Sequence, residues 1–213
     1  MSAVTIIDYG MGNLRSVSKA LESLGASARV SSDPKDIAAA DKLILPGVGA
    51  FPAAMQELSA RGLIEPIKHA VASGTPYLGI CLGLQLLFES SEEGAGANGL
   101  AILKGRVPRF ALNGQAHLKI PHMGWNQVLL RQATSDKRQD QCPLLNGIPE
   151  GSFFYFVHSY YADPVDRSII ALESDYGIRF TAMVWHKNLY ATQFHPEKSQ
   201  AVGLQLLKNF IEL

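Results

Sequence analysis

The sequence predicts an α/β fold: a central, mostly parallel sheet flanked by helices on both faces, with an additional antiparallel β portion. Three observations predict it. About 90 residues at the start hold four strand-then-helix units, and that alternation means a parallel sheet. Three of the strands run into glycine-rich loops, YGMGN, PGVG and GICLG, and ligands of such sheets bind beyond the carboxyl ends of the strands. From about residue 102 to 194 the apolar runs turn short and strand-like, which reads as mixed or antiparallel β.

The elements follow in order. Residues 4–7 are a short apolar strand ending at Asp8. Leu14, Val17, Leu21 and Leu24 recur at helical spacing, and Gly25 is a natural C-terminal stop. Residues 28–30 read as a strand, 36–40 as a weak helix and 43–45 as a buried strand. Helices are expected over 51–58 and 65–72. After the breaker Gly74, residues 76–80 read as a buried strand, and Leu84, Leu87 and Phe88 mark a helix beyond it. The second-half strands are expected in ILKGRVPRF, HLKIPHMGWNQVLL, SFFYFVHSYYA, SIIALES and FTAMVWHKNLYATQFH. RQATSDKRQDQCPLLNGIPEG reads as a polar surface loop that contains Cys142. The last helix sets Val202, Leu206, Phe210 and Leu213 on one face.

Bulk properties narrow the function classes. The 213 residues are 47% hydrophobic and 18% charged, with a formal net charge of zero. That balance suits a packed core and argues against a nucleic-acid or membrane-surface footprint. One domain over residues 1–213 is expected. Two cysteines make no disulfide framework, the start MSAVTIIDYG lacks a basic, long-apolar leader pattern, and no apolar run reaches about 18 residues. A cytoplasmic protein is the expectation.

Cys81 lies between Gly79 and Gly83 at a strand-to-helix turn. The glycines are expected to let the backbone turn sharply, which makes a thiol version of the nucleophile elbow. The following helix N-terminus favours thiolate over thiol. The bland alternative is a buried structural cysteine. A nucleophile needs a base, and His195 ends an extended run with Glu197 two residues on. In extended backbone such residues point the same way, so the carboxylate can orient the imidazole. A surface His beside an unrelated Glu is the alternative. Acyl transfer also needs an oxyanion hole. Leu82 N–H, next after the nucleophile, is one donor, and Val48 N–H in the Gly47-Val48-Gly49 loop is the second candidate. Rotation of the peptide joining Gly47 to Val48 is a candidate switch for that donor. A dinucleotide loop at Gly10-Met11-Gly12 fails because Arg15 stands where a third glycine belongs. No metal site is expected: Cys-x-x-Cys and His-x-x-x-His are absent, and His117 and His122 are five apart.

GICLGLQLLFES with the distant HPE resembles the class I glutamine amidotransferases, which take ammonia from glutamine through a cysteinyl thioester. DYGMGNLRSV, LPGVGAFPAAM, FESSEEG, IPHMGWN, FYFVHSYY and QFHPEKSQ are similar to the glutaminase subunits of imidazole glycerol phosphate synthase, over nearly the whole chain. The resemblance implies a flavodoxin-like amidotransferase fold. It implies Cys81 as nucleophile, His195 as general base then acid, and Glu197 as its orienter. Gln85 and the backbone around Gly49 and Ser159 are implied as L-glutamine contacts. Asn13, Met123, Trp125 and Lys198 are implied as the face that meets a partner, a separate (βα)8-barrel cyclase, in a heterodimer. No cofactor, nucleic acid or membrane is implied. A lyase label comes with the synthase as a whole. The competing readings are a glutaminase subunit for another acceptor, such as vitamin B6 or an aminated aromatic acid, and a non-catalytic binding module on the same fold.

Overall fold

The computed structural model describes residues 3–94, 96–111, 118–131 and 142–213. The four expected strand–helix units are present: β1 (Ala3–Ile7), α1 (Leu14–Ser23), β2 (Ser27–Ser31), α2 (Pro34–Ala38), β3 (Leu43–Gly47), α3 (Phe51–Ala60), α4 (Ile64–Ala72), β4 (Tyr77–Cys81) and α5 (Leu82–Gln85). Then come β5 (Ser90–Ser91), β6 (Ala97–Asn98), β7 (Gly105–Val107), β8 (His122–Gln127), β9 (Leu129–Leu130), β10 (Phe153–His158) and β11 (Asp163–Pro164). The chain ends with β12 (Ile170–Asp175), β13 (Arg179–His186), β14 (Leu189–Thr192) and α6 (Gln200–Ile211).

The main sheet has the order β2-β1-β3-β4-β14-β13-β12-β9. From β2 to β14 neighbours are parallel; β13, β12 and β9 extend it antiparallel. Strand alternation feeds two cores. Val4, Ile6, Ile44 and Ile80 pack on the side of α1 and α6, where Leu21, Leu206 and Phe210 are buried. Ile7, Leu43, Leu45 and Tyr77 pack on the side of α3 and α4, against Phe51, Leu58 and Ile67. Helices on both faces thus seal a sheet whose strands are apolar on both sides. A second antiparallel pair, β8 with β10, and a small mixed sheet, β11-β7-β5-β6, complete the β portion.

Four expectations change. α2 starts two residues early because Asp33 accepts from Lys35 N at 2.8 Å and Pro34 suits the first helical position. α5 is one turn, not a helix through Phe88. The amides of Leu100 and Ala101 take the carbonyls of Leu86 and Phe88, and those of Ile102 and Leu103 take Leu87. Leu84, Leu87 and Phe88 are still buried. In α6, Leu206 and Phe210 are buried as expected, but Leu213 lies beyond the helix and is exposed, while Leu207 takes a core position. Cys142 is buried in the core at the start of a short 3-10 turn, Pro143–Leu145, and burial pushes its thiol up to about 12. His117 and residues 132–141 of the expected surface loop lie outside the described residues.

Candidate active site

Cys81 closes β4 and precedes α5 with φ 56° and ψ −106°. A positive φ strains any residue with a Cβ, so the sharp turn is made by the cysteine itself. The flanking glycines have another task. A Cβ on Gly83 would lie 1.9 Å from the Leu45 carbonyl oxygen, and one on Gly79 would lie 2.6 Å from that of Gly83. They let α5 sit directly on the strands. With one turn, α5 has little macrodipole; its contribution is the unpaired amides of a helix start, Leu82 N–H among them. The sulfur makes two long contacts at 3.8 Å, with the Val157 carbonyl and with Gln193 Nε2.

Sheet register brings the other candidates to this edge. Gly47 pairs with Cys81, so Val48 leaves β3 beside the nucleophile. Thr192 pairs with Ile80 in the parallel β4–β14 ladder, so the chain leaving β14 carries His195 to the same edge. His195 N–H donates to the Tyr155 carbonyl at 2.9 Å. Ser199 Oγ donates to the His195 carbonyl at 2.6 Å and accepts from Tyr155 N–H at 3.0 Å. The link to Glu197 is not extended backbone as expected. Pro196–Lys198 is a 3-10 turn, and that turn folds Glu197 back under the ring.

His195 Nδ1 and Glu197 Oε1 are 2.9 Å apart, with the side chains 2% and 1% exposed. With Nδ1 committed to the carboxylate, Nε2 is the working nitrogen. It is buried and has no hydrogen-bond partner among the described residues. Burial alone would lower the His195 pKa; the facing Cys81 sulfur and the Glu197 carboxylate outweigh burial and hold it well above 6.5. Nε2 thus faces the sulfur with no hydrogen bond of ordinary geometry to it. Catalytic hydrogen bonds are often loose before substrate binds.

A cleft of about 360 Å³ gathers Val48, Gly49, Cys81, Leu82, Gln85, Ser159 and His195. The structure thus brings together the nucleophile, the base, both oxyanion candidates and all three expected glutamine contacts, with Glu197 behind His195. It adds Glu93, Pro121, Val157, His158 and Tyr160 to the walls, and Gln193 beneath the sulfur. All six lie in segments quoted above, FESSEEG, IPHMGWN, FYFVHSYY and QFHPEKSQ, but the sequence gives none of them a role there; packing brings them to the cleft. Gln85 Nε2 donates to the Tyr160 carbonyl at 3.0 Å and to Gln193 Oε1 at 3.2 Å.

Three of the four expected partner-face residues share one surface. Met123 and Trp125 alternate outward on β8, 67% and 46% exposed. The Trp125 ring meets Tyr155 edge-on at 6.2 Å, and Lys198 Nζ lies 5.8 Å from the Tyr155 ring centroid. Asn13 caps the start of α1, a helix that packs against the Pro196–Lys198 turn. Among the described residues no group of three or more His, Cys, Asp or Glu side chains is placed to hold a metal, and no helix is long and apolar enough to cross a membrane.

Residues 5–213 match the family model described as glutamine amidotransferase class-I. The chain belongs to the class-I glutamine amidotransferases. This amidotransferase is 55% identical over 210 residues to a protein of Syntrophotalea carbinolica named imidazole glycerol phosphate synthase subunit HisH, covering 97% of this chain and 98% of that one. A protein of the same name from Rhodopirellula baltica is 53% identical over 207 residues, covering 97% and 96%. Among solved structures, one titled "Structure of PurLQS from Thermotoga maritima" superposes with a TM-score of 0.73 at 18% identity, covering 100% of this chain and 99% of that one. At that identity the likeness is one of fold.

Proposed function

We propose that this chain is the glutaminase subunit of imidazole glycerol phosphate synthase, acting as a single amidotransferase unit in histidine biosynthesis. The observation that carries the chemistry is the cleft where strained Cys81 and carboxylate-backed His195 meet. The near-full-length relatives named above carry the pathway.

The Cys81 thiolate attacks the side-chain amide carbon of L-glutamine. The C=O electrons move to oxygen, and Leu82 N–H and Val48 N–H receive the oxyanion. His195 gives its Nε2 proton to the departing nitrogen, and ammonia leaves a cysteinyl thioester. Water then loses a proton to His195 and attacks the thioester carbon. Collapse expels the sulfur and yields glutamate. Glu197 holds Nδ1 throughout, which keeps Nε2 as the transferring atom. This chemistry is amide hydrolysis; the lyase label expected with the synthase does not belong to this chain.

Ammonia needs an acceptor site, and we assign that to a (βα)8-barrel cyclase seated on the Met123, Trp125 and Lys198 face. Val157, whose carbonyl touches Cys81 Sγ, pairs with Met123 across the β8–β10 ladder, so the nucleophile lies one ladder away from the docked surface. Such a route keeps ammonia unprotonated and nucleophilic. The test uses the chain with its co-purifying partner and a chloroketone analogue of glutamine. Labelling should fall on Cys81 alone. Cys81→Ser should abolish glutamine hydrolysis while synthesis from added ammonium persists; hydrolysis surviving in that variant refutes the thioester.

A further inference from the structure

A line of side chains, buried except at its outer end, runs from the β8–β10 ladder into the glutamine cleft. Asn126 Nδ2 lies 3.3 Å from His122 Nε2, His122 Nδ1 lies 2.9 Å from His158 Nε2, and His158 Nδ1 lies 2.8 Å from the Tyr160 carbonyl. That carbonyl also accepts from Gln85 Nε2, and Gln85 reaches Cys81 Sγ through Gln193. The hydrolysis described above uses neither histidine.

Hydrogen-bond capacity gives this line one polarity. A carbonyl only accepts, so His158 Nδ1 must carry a proton. Burial pushes His158 down to about 3 and His122 down to about 4, so both rings are neutral at neutral pH. Neutral His158 then accepts at Nε2, His122 must donate from Nδ1, and His122 Nε2 accepts from the Asn126 amide. Every link is satisfied in one direction only. Opposing N–H groups would result from the other tautomer at either ring.

We propose that His122 and His158 are positioning residues that, through the Tyr160 carbonyl, aim Gln85 at bound glutamine. The inference rests on the glutaminase reading. Tyr160 belongs to the strand-end segment with Ser159 that walls the cleft; the N–H of the same peptide, on Tyr161, donates to the Pro108 carbonyl at 3.1 Å, and the carbonyl itself takes two donors, His158 Nδ1–H and Gln85 Nε2. The acceptor is shared, so the imidazole on one side sets the angle at which the amide on the other is presented.

A competing role exists, and it can be separated. His122 is stacked between Tyr176, at 4.0 Å, and Phe156, at 5.0 Å, and packing alone could explain an aromatic ring there. His122→Phe keeps the stack and removes the Nδ1–H. His122→Asn loses the stack and keeps a donor, because its amide nitrogen is as many bonds from Cα as Nδ1 is. Positioning predicts that His122→Phe raises the glutamine KM about tenfold, the worth of a buried hydrogen bond, with little change in kcat. His122→Asn should recover most of that loss. Packing predicts the reverse order.

The measurements are KM and kcat of the complex, Cys81 labelling by the glutamine chloroketone, and Cys81 alkylation by iodoacetamide, which needs no glutamine subsite. Analogue labelling should slow with the rise in KM while alkylation holds its wild-type rate. A wild-type KM in His122→Phe, an Asn variant as impaired as the Phe variant, or equal slowing of both reagents overturns the proposal. Should His122→Phe fail to fold, Asn126→Leu at the outer end should raise KM about two- to threefold, and an unchanged KM overturns it equally. Absence of analogue labelling in the wild type refutes the glutaminase reading itself, which is a distinct result.

Discussion

Two anions hold a proton on a ring that burial tries to strip, and removing them one at a time should move the His195 pKa in steps. Nδ1 is 2.9 Å from Glu197 Oε1 in a pair nearly closed to water, and Cys81 faces the other nitrogen. The His195 pKa stands at about 10 in the intact site. An opposite charge within about 4–6 Å is worth about one to three pH units. At about two each, Cys81→Ser or Glu197→Gln should bring the ring to about 8, and the double variant to about 6. In the double variant only burial remains, so the sign of the departure from 6.5 reverses. Imidazole nitrogen NMR across pH in the three proteins reads this directly. A double variant still titrating well above 6.5 refutes the account, because some other anion must then be holding the proton. Stability follows the same sign. The folded-state value lies above the unfolded one, so the stabilisation is fully present below about pH 6.5 and is lost as pH rises through about 10. The melting-temperature deficit of Glu197→Gln should accordingly be largest on the acid side of that window.

Val48→Pro removes the second oxyanion donor whichever way its peptide points, and should lower glutamine turnover about a hundred- to a thousandfold while leaving synthesis from ammonium intact; a loss under tenfold places the donor elsewhere. The Gly47 position is unsuited to that test, since a Cβ there would meet Tyr9 Oη at 2.6 Å and Leu82 Cβ at 2.7 Å. Lys198→Ala should weaken partner binding about tenfold or more by titration calorimetry while changing basal hydrolysis far less; full partner-stimulated activity would remove Lys198 from the interface. Gly83→Ala drives a methyl into the Leu45 carbonyl and should cost about 3 kcal/mol or more in chemical denaturation; a near-neutral result would mean that α5 can lift off the sheet without penalty.

Local pattern alone determined much of this protein. The strand–helix alternation, the three glycine loops at strand ends, Cys81 at an elbow and His195 with Glu197 are short-range features, set by backbone preference and by periodicities of two and 3.6. Tertiary structure decided the rest. That β14 lies parallel against β4, bringing His195 to Cys81, depends on a sheet order that no local signal encodes. Cys81 itself carries the positive φ, while Gly83 is taken up by its close approach to the Leu45 carbonyl and Gly79 by its close approach to Gly83. Glu197 reaches Nδ1 through a 3-10 turn because Ser199 ties the His195 carbonyl to β10 and Gly203 leaves room beneath Pro196. Cys142 is core, although the residues before it are polar, because the turn at Pro143–Leu145 folds it inward with Leu144. Gln193, Tyr160 and the two neutral histidines lie in segments quoted from the sequence, but their roles were not legible there, for a related reason. Their roles rest largely on hydrogen bonds between residues tens of positions apart, and a buried donor finds its acceptor only after the main sheet and the β8–β10 pair have closed on each other.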